Sequence, residues 1–173
     1  RARGPGAGVR VAESGRGFDA GIAPSAAGSG NIDAAVEHVI AKAKKDPLDK
    51  NRQCARYVRE AANAGNYPVG IPPIRKGEAY AWAKDYGPEF TKPSVGFKPV
   101  VEGKRPSSPP SKDFLRRGDV VIIESTSTSK EGHIAMYTGK EWYSDRPQRE
   151  FWPGEVYRRE KPSYVIYRPP GKK

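Results

Sequence analysis

The chain has 173 residues, 36% of them hydrophobic, with 31 Lys and Arg against 20 Asp and Glu for a formal charge of +11. That length suits one domain with its own core, no apolar run reaches the roughly 18 residues of a membrane-spanning helix, and a single cysteine excludes an internal disulfide and a cysteine-built zinc site. The charge predicts anionic surroundings or an anionic partner, but the basic residues are spread along the chain and match no RRM, zinc-finger or basic-helix pattern, so nucleic acid is not the expected ligand. Nothing in the pattern calls for a metal or an organic cofactor.

Residues 1–30 are dominated by Gly, Ala, Ser and Arg and hold almost no large apolar side chains. Such a segment buries too little surface to offset its ordering entropy, so it reads as a tail or linker ahead of a domain over 31–173. From Asn31 the pattern turns helical: Ile32, Val36, Val39, Ile40 and Ala43 recur at helical spacing, Asn31 or Asp33 can cap the start, and Pro47 closes it. His38 falls on a polar stretch of this helix and is expected at the solvated surface. A second helix is expected over 52–64, with Asn51 as cap, Gly65 just past its end, and Cys54, Tyr57, Val58, Ala61 and Ala62 as its inward stripe. A short third helix is expected over 76–84, ended by Asp85-Tyr86-Gly87-Pro88.

After a segment rich in Pro, Ser and Lys the periodicity becomes that of strands. One short strand is expected near 97–101, then strands at 120–124, 134–138, 141–144 and 164–168, with Gly139-Lys140 as a hairpin turn. Helices first and an antiparallel sheet after them predicts an α+β fold.

Cys54 has two readings. On the apolar stripe of a helix it is an ordinary core residue. In the first turn it meets free backbone N–H groups and positive potential, with Arg52 and Arg56 adding to the field, and these favour the thiolate that a nucleophile needs. The same N–H groups suit the oxyanion of a tetrahedral intermediate. His133 opens a strand in Gly132-His133-Ile134-Ala135-Met136-Tyr137, at a sheet edge where it can serve as base and then as acid. A base histidine needs an orienting group on its other nitrogen. Asp145, across the expected hairpin, is the leading candidate, and Asp119 and Glu124 are rivals.

Three blocks then carry a resemblance: Gln53-Cys54-Ala55-Arg56-Tyr57-Val58, Arg117-Gly118-Asp119-Val120-Val121-Ile122, and Gly132-His133-Ile134-Ala135-Met136-Tyr137. Their order resembles the CHAP and NlpC/P60 group of papain-like cysteine peptidases. Ala83-Lys84-Asp85-Tyr86-Gly87-Pro88 and the block from Trp142 to Gly154, followed by Tyr164-Val165-Ile166-Tyr167-Arg168, are similar to the second subfamily of type VI secretion amidase effectors. The resemblance implies a papain-like fold and a thiol hydrolase acting on peptidoglycan stem peptides or cross-links, with Cys54, His133 and Asp145 as its catalytic residues. It further implies delivery by the type VI apparatus to a rival's periplasm and a cognate immunity protein. Gln53 matches the position before the nucleophile and is a candidate oxyanion donor. Tyr86, Trp142, Arg146 and Arg149 are candidates for a substrate groove. A phage-type or housekeeping lysin with the same triad, and a non-catalytic basic domain that binds the envelope, are the alternative readings.

Overall fold

The computed structural model describes residues 30–45 and 53–171. The expected tail, the Asn51 cap and Arg52 lie outside the described residues. The described residues form four α-helices, α1 (Ile32–Lys45), α2 (Cys54–Ala64), α3 (Gly87–Thr91) and α4 (Glu155–Glu160), with a 3-10 turn over Ala83–Asp85. The strands are β1 (Lys98–Gly103), β2 (Val120–Ile123), β3 (His133–Tyr137), β4 (Trp142–Tyr143), β5 (Pro147–Gln148) and β6 (Tyr164–Arg168). They form one antiparallel sheet in the order β1-β6-β2-β3-β4-β5. The fold is α+β.

Alternation along the central strands divides the core in two, because successive strand side chains point to opposite faces. Val120 and Ile122 of β2 and Ile134 and Met136 of β3 join Val36 and Val39 of α1 and Val58, Ala61 and Ala62 of α2. Val121, Ile123, Ala135 and Tyr137 face the other way, into an aromatic cluster with Trp142, Phe151, Trp152 and Tyr164. Phe151 stands at its centre, edge-on to Trp152 and Tyr164 with ring centroids 4.8 Å away in both cases.

Asn31 caps α1 as expected, accepting the Ala34 N–H at 3.0 Å on its side-chain oxygen. His38 departs from expectation: it is half-buried, and its Nε2 is enclosed without a partner among the described residues. The helix expected over 76–84 does not form. That stretch is loop and turn ending in the 3-10 turn, and the helix beyond it starts at Gly87, with Pro88 in the first turn where a missing N–H costs nothing. β5 and α4 were not anticipated: two-residue β5 is too short to show a period, and α4 has no buried residues to mark an apolar stripe.

Asp119 opens β2 and is fully buried. It accepts Arg168 Nε at 2.8 Å and Nη2 at 2.9 Å, together with the Arg116 N–H at 2.8 Å. The bidentate pair ties the start of β2 to the end of β6, so Asp119 is a structural residue. Removing one member of such a pair strands a buried charge and costs about 3–5 kcal/mol. Asp119→Ala is expected to lose about that much in urea denaturation, whereas Asp119→Leu with Arg168→Met recovers most of it.

Candidate active site

Cys54 is the first residue of α2, and His133 is the first of β3. The inward stripe of α2 packs on Ile134 and Met136, which brings the helix N-terminus to the beginning of β3. Gly132 makes that beginning possible: its φ of +75° lies in the left-handed region, and a Cβ there would collide with the Ile123 carbonyl. Cys54 and His133 line one cleft of about 950 Å³, together with Asp145 from the β4–β5 turn, Gln148 from β5 and Tyr157 from α4.

The hydrogen bonds of Gln148 decide the state of the imidazole. Its amide nitrogen donates to the carbonyls of Glu150 at 3.2 Å and Phe151 at 3.3 Å. The amide oxygen is thereby turned to His133 Nε2, 2.7 Å away. An amide oxygen only accepts, so Nε2 carries the proton and Nδ1 keeps its lone pair. A Gln148 that is itself buried and doubly anchored holds the ring in the tautomer of a general base. Tyr157 stands edge-on to the imidazole, with centroids 6.1 Å apart.

The hydrogen bond to the second ring nitrogen that was expected of Asp145 is made by Gln148, which was not anticipated. Asp145 is buried, accepts the Ser144 hydroxyl at 3.1 Å, and has Arg146 Nε 4.0 Å from the same oxygen. No hydrogen bond runs from it to His133. It acts on the ring through its charge, favouring the imidazolium, and it also opposes ionisation of Cys54.

Desolvation dominates the electrostatics of both Cys54 and His133. It pushes the Cys54 thiol up to about 12; backbone hydrogen bonds from Ile134 and Ala55 pull the other way but do not offset it. It lowers His133 below its ordinary 6.5, against the opposing influence of the Gln148 hydrogen bond and of Asp145. The helix N-terminus does not yield the lowered thiol expected from the sequence, because desolvation of the anion outweighs it. Desolvation in the cleft thus favours the neutral thiol and the neutral imidazole over the ion pair.

Gln53 lines the cleft, and its side-chain oxygen accepts Arg56 Nη1 at 3.0 Å, leaving its amide N–H groups uncommitted to that contact. Tyr86 and Arg146 also line the cleft, whereas Trp142 and Arg149 do not. Trp142 lies in the aromatic cluster with its ring against Tyr137 and Phe151, and Arg149 is exposed next to the inward-turned Gln148. Strand alternation is the reason: one residue of register decides which side chain enters the site. The Pro- and Ser-rich residues 104–112 contribute nothing to the cleft. They pack against the α4–β6 connection, where Ser107 donates to the Pro162 carbonyl at 2.7 Å and the Ser108 carbonyl accepts Tyr164 Oη at 2.7 Å. Gln148 lay inside the sequence block that carried the resemblance, and its capacity to accept from a histidine was the available signal.

The class defined so far is an α+β domain with a helix-start thiol and a strand-start imidazole facing one cleft. Among solved structures, a chain of the type VI native effector–immunity complex Tae3–Tai3 from Ralstonia pickettii aligns with a TM-score of 0.61 and 29% identity, over 80% of this chain and 98% of that one. The selenomethionine form of that complex aligns with a TM-score of 0.59 and 29% identity, over 78% and 99%. No protein-family model and no curated protein matches the chain. No helix among the described residues is long and apolar enough to cross a membrane.

Two outcomes follow from this half-buried, desolvated thiol and imidazole. With the thiol at about 12, about one molecule in 10⁵ carries the thiolate at pH 7. Iodoacetamide is expected to modify native Cys54 far more slowly than the urea-unfolded chain at that pH, with the native rate still rising beyond pH 9. His133 binds its proton less readily folded than unfolded. Its contribution to stability is thus complete above 6.5 and is lost as pH falls through that value toward the folded one. Urea titrations at descending pH are expected to show this loss in wild type and a flatter dependence in His133→Gln.

Proposed function

We propose that this chain is a papain-like cysteine amidase of the CHAP and NlpC/P60 kind that cleaves peptidoglycan stem peptides or cross-links and acts as an antibacterial type VI effector. The observation that carries the chemistry is the Gln148–His133 hydrogen bond, which leaves a basic Nδ1 in the cleft that holds the only thiol of the chain. The biological setting rests on the likeness to a chain of an effector–immunity complex, at 29% identity over 98% of that chain.

Catalysis starts from the neutral pair. His133 Nδ1 takes the proton of Cys54 as Sγ attacks the amide carbonyl carbon, so charge separation accompanies attack and does not precede it. The carbonyl oxygen becomes an oxyanion beside the first N–H groups of α2, which have no intrahelical acceptor, with the Gln53 amide as candidate second donor. Asp145 stabilises the imidazolium through its charge, and Gln148 keeps Nε2 engaged so that the proton on Nδ1 is the one delivered. That proton goes to the leaving nitrogen, the C–N bond breaks, and an acyl-thioester remains. Water, deprotonated by the same Nδ1, releases the acid and restores the thiol.

The setting supplies the rest of the reading. Such an effector is delivered by the type VI apparatus, acts in the periplasm of the target bacterium, and is held in check at home by a cognate immunity protein. A charge of +11 suits an anionic wall polymer.

Purified sacculi digested by the protein, with products identified by mass spectrometry, test the reading. Wild type is expected to release or shorten stem peptides, and Cys54→Ala and His133→Ala to lose that activity. Gln148→Ala is expected to retain the fold and lose kcat by about 10²-fold, as the imidazole loses its fixed tautomer. A muropeptide profile identical for wild type and Cys54→Ala would refute the amidase.

A further inference from the structure

The cleft contains a second arrangement that the reaction itself does not use. Among the described residues three arginines line it: Arg56, Arg59 and Arg146. Arg56 Nε donates to Glu60 at 3.1 Å, and Arg146 lies 4.0 Å from Asp145. Arg59 is different. Its Nη1 donates to the hydroxyl of Tyr86 at 2.8 Å, and no carboxylate among the described residues pairs with it. Tyr86 is only 1% exposed and Arg59 is half-buried, so the guanidinium is anchored at one corner by a rigid phenol. A guanidinium offers five N–H donors in a planar fork, and this contact uses one. A partly desolvated cation without a counter-ion is unfavourable unless an anion completes it.

The geometry points to a carboxylate subsite: we propose that Arg59, held by Tyr86, binds a free carboxylate of the substrate peptide. The planar fork matches a carboxylate with two parallel hydrogen bonds. Arg59 follows Cys54 on α2 by about 7.5 Å of helical rise, the span of about two residues of extended peptide. The bound carboxylate thus belongs to a residue about two positions from the scissile amide. Arg146 and Arg149 were the residues expected to meet substrate carboxylates, but Arg146 has the Asp145 carboxylate 4.0 Å away, and Arg149 is outside the cleft. The identity of the ligand, a peptide of the bacterial wall, rests on the amidase reading; the carboxylate requirement does not.

Binding to Cys54→Ala separates the subsite from turnover. The probes are muropeptides from muramidase-digested sacculi and the same muropeptides with their carboxylates converted to amides by carbodiimide and ammonia. Cys54→Ala is expected to bind the acids about tenfold or more tightly than the amides, the worth of a charge-assisted hydrogen bond. Adding Arg59→Gln is expected to abolish that preference, weakening the acids far more than the amides, and Arg59→Lys, which keeps the charge without the fork, to restore part of it. Tyr86→Phe, which leaves the arginine in place and removes its anchor, is expected to reduce the preference and guards against a folding defect in the Arg59 variants. An acid preference that survives Arg59→Gln overturns the subsite, as does the absence of any acid preference in Cys54→Ala, lack of binding included. Failure of the amidase reading has a separate signature, unchanged sacculi with the wild-type protein.

Discussion

The packing of α2 against β3 is the contact on which the site depends. Ala61 and Ala62 keep the inward stripe of the helix thin, and Val58, Ile134 and Met136 fill the interface. A helix that approaches its sheet this closely carries its first residue to the start of the neighbouring strand. Cys54 and His133 come to line one cleft through that fit. Gly132 completes the arrangement, because a side chain there would force the strand start away from Ile123 and move the imidazole with it. The Asp119–Arg168 pair holds the other end of the same strands, tying β2 to β6 with the charge fully buried.

Burial gives this site a particular electrostatic character. A helix N-terminus lowers a thiol by fractions of a kcal/mol to about 2 kcal/mol, whereas enclosing a thiolate in a protein interior costs more. At Cys54 enclosure wins, and the thiol stands at about 12. The same enclosure lowers His133, so both groups rest uncharged. Such a pair depends on the direction of the base lone pair more than on a preformed ion pair. Gln148 sets that direction, anchored by two backbone carbonyls that cannot change partner without unfolding the β5–α4 connection. Asp145 supplies charge where Gln148 supplies orientation. Two residues share a task that the sequence assigned to one.

The walls of the cleft show a comparable division. Arg56 and Arg146 each have a carboxylate neighbour, and Arg59 has a neutral phenol. Neutral anchoring keeps a guanidinium in place without cancelling its charge. Beside it Ile71 and Ile74, ahead of the expected third helix, and Tyr80, in the loop that replaces it, are exposed along the same cleft. An apolar rim with one anchored cation suits a mixed polar and apolar peptide better than a uniformly charged polymer.

The sequence by itself determined the α+β order, both long helices, the central strands and the candidacy of Cys54 and His133. These are local properties: apolar side chains at helical or strand spacing, a capping Asn31, a glycine before a histidine. It did not determine β5 or α4, which are too short or too exposed to leave a period. It also placed Trp142 and Arg149 in the cleft, where tertiary structure puts Gln148 and Arg59. The reason lies in register and packing: a shift of one residue in a strand exchanges the faces of its side chains, and only the assembled sheet fixes that shift. Whether a thiol at a helix start is acidic or not was equally beyond local pattern. Cys54 has the neighbours of a thiolate in its sequence, and its desolvation where α2 meets the wall of the cleft works against them and favours the neutral thiol.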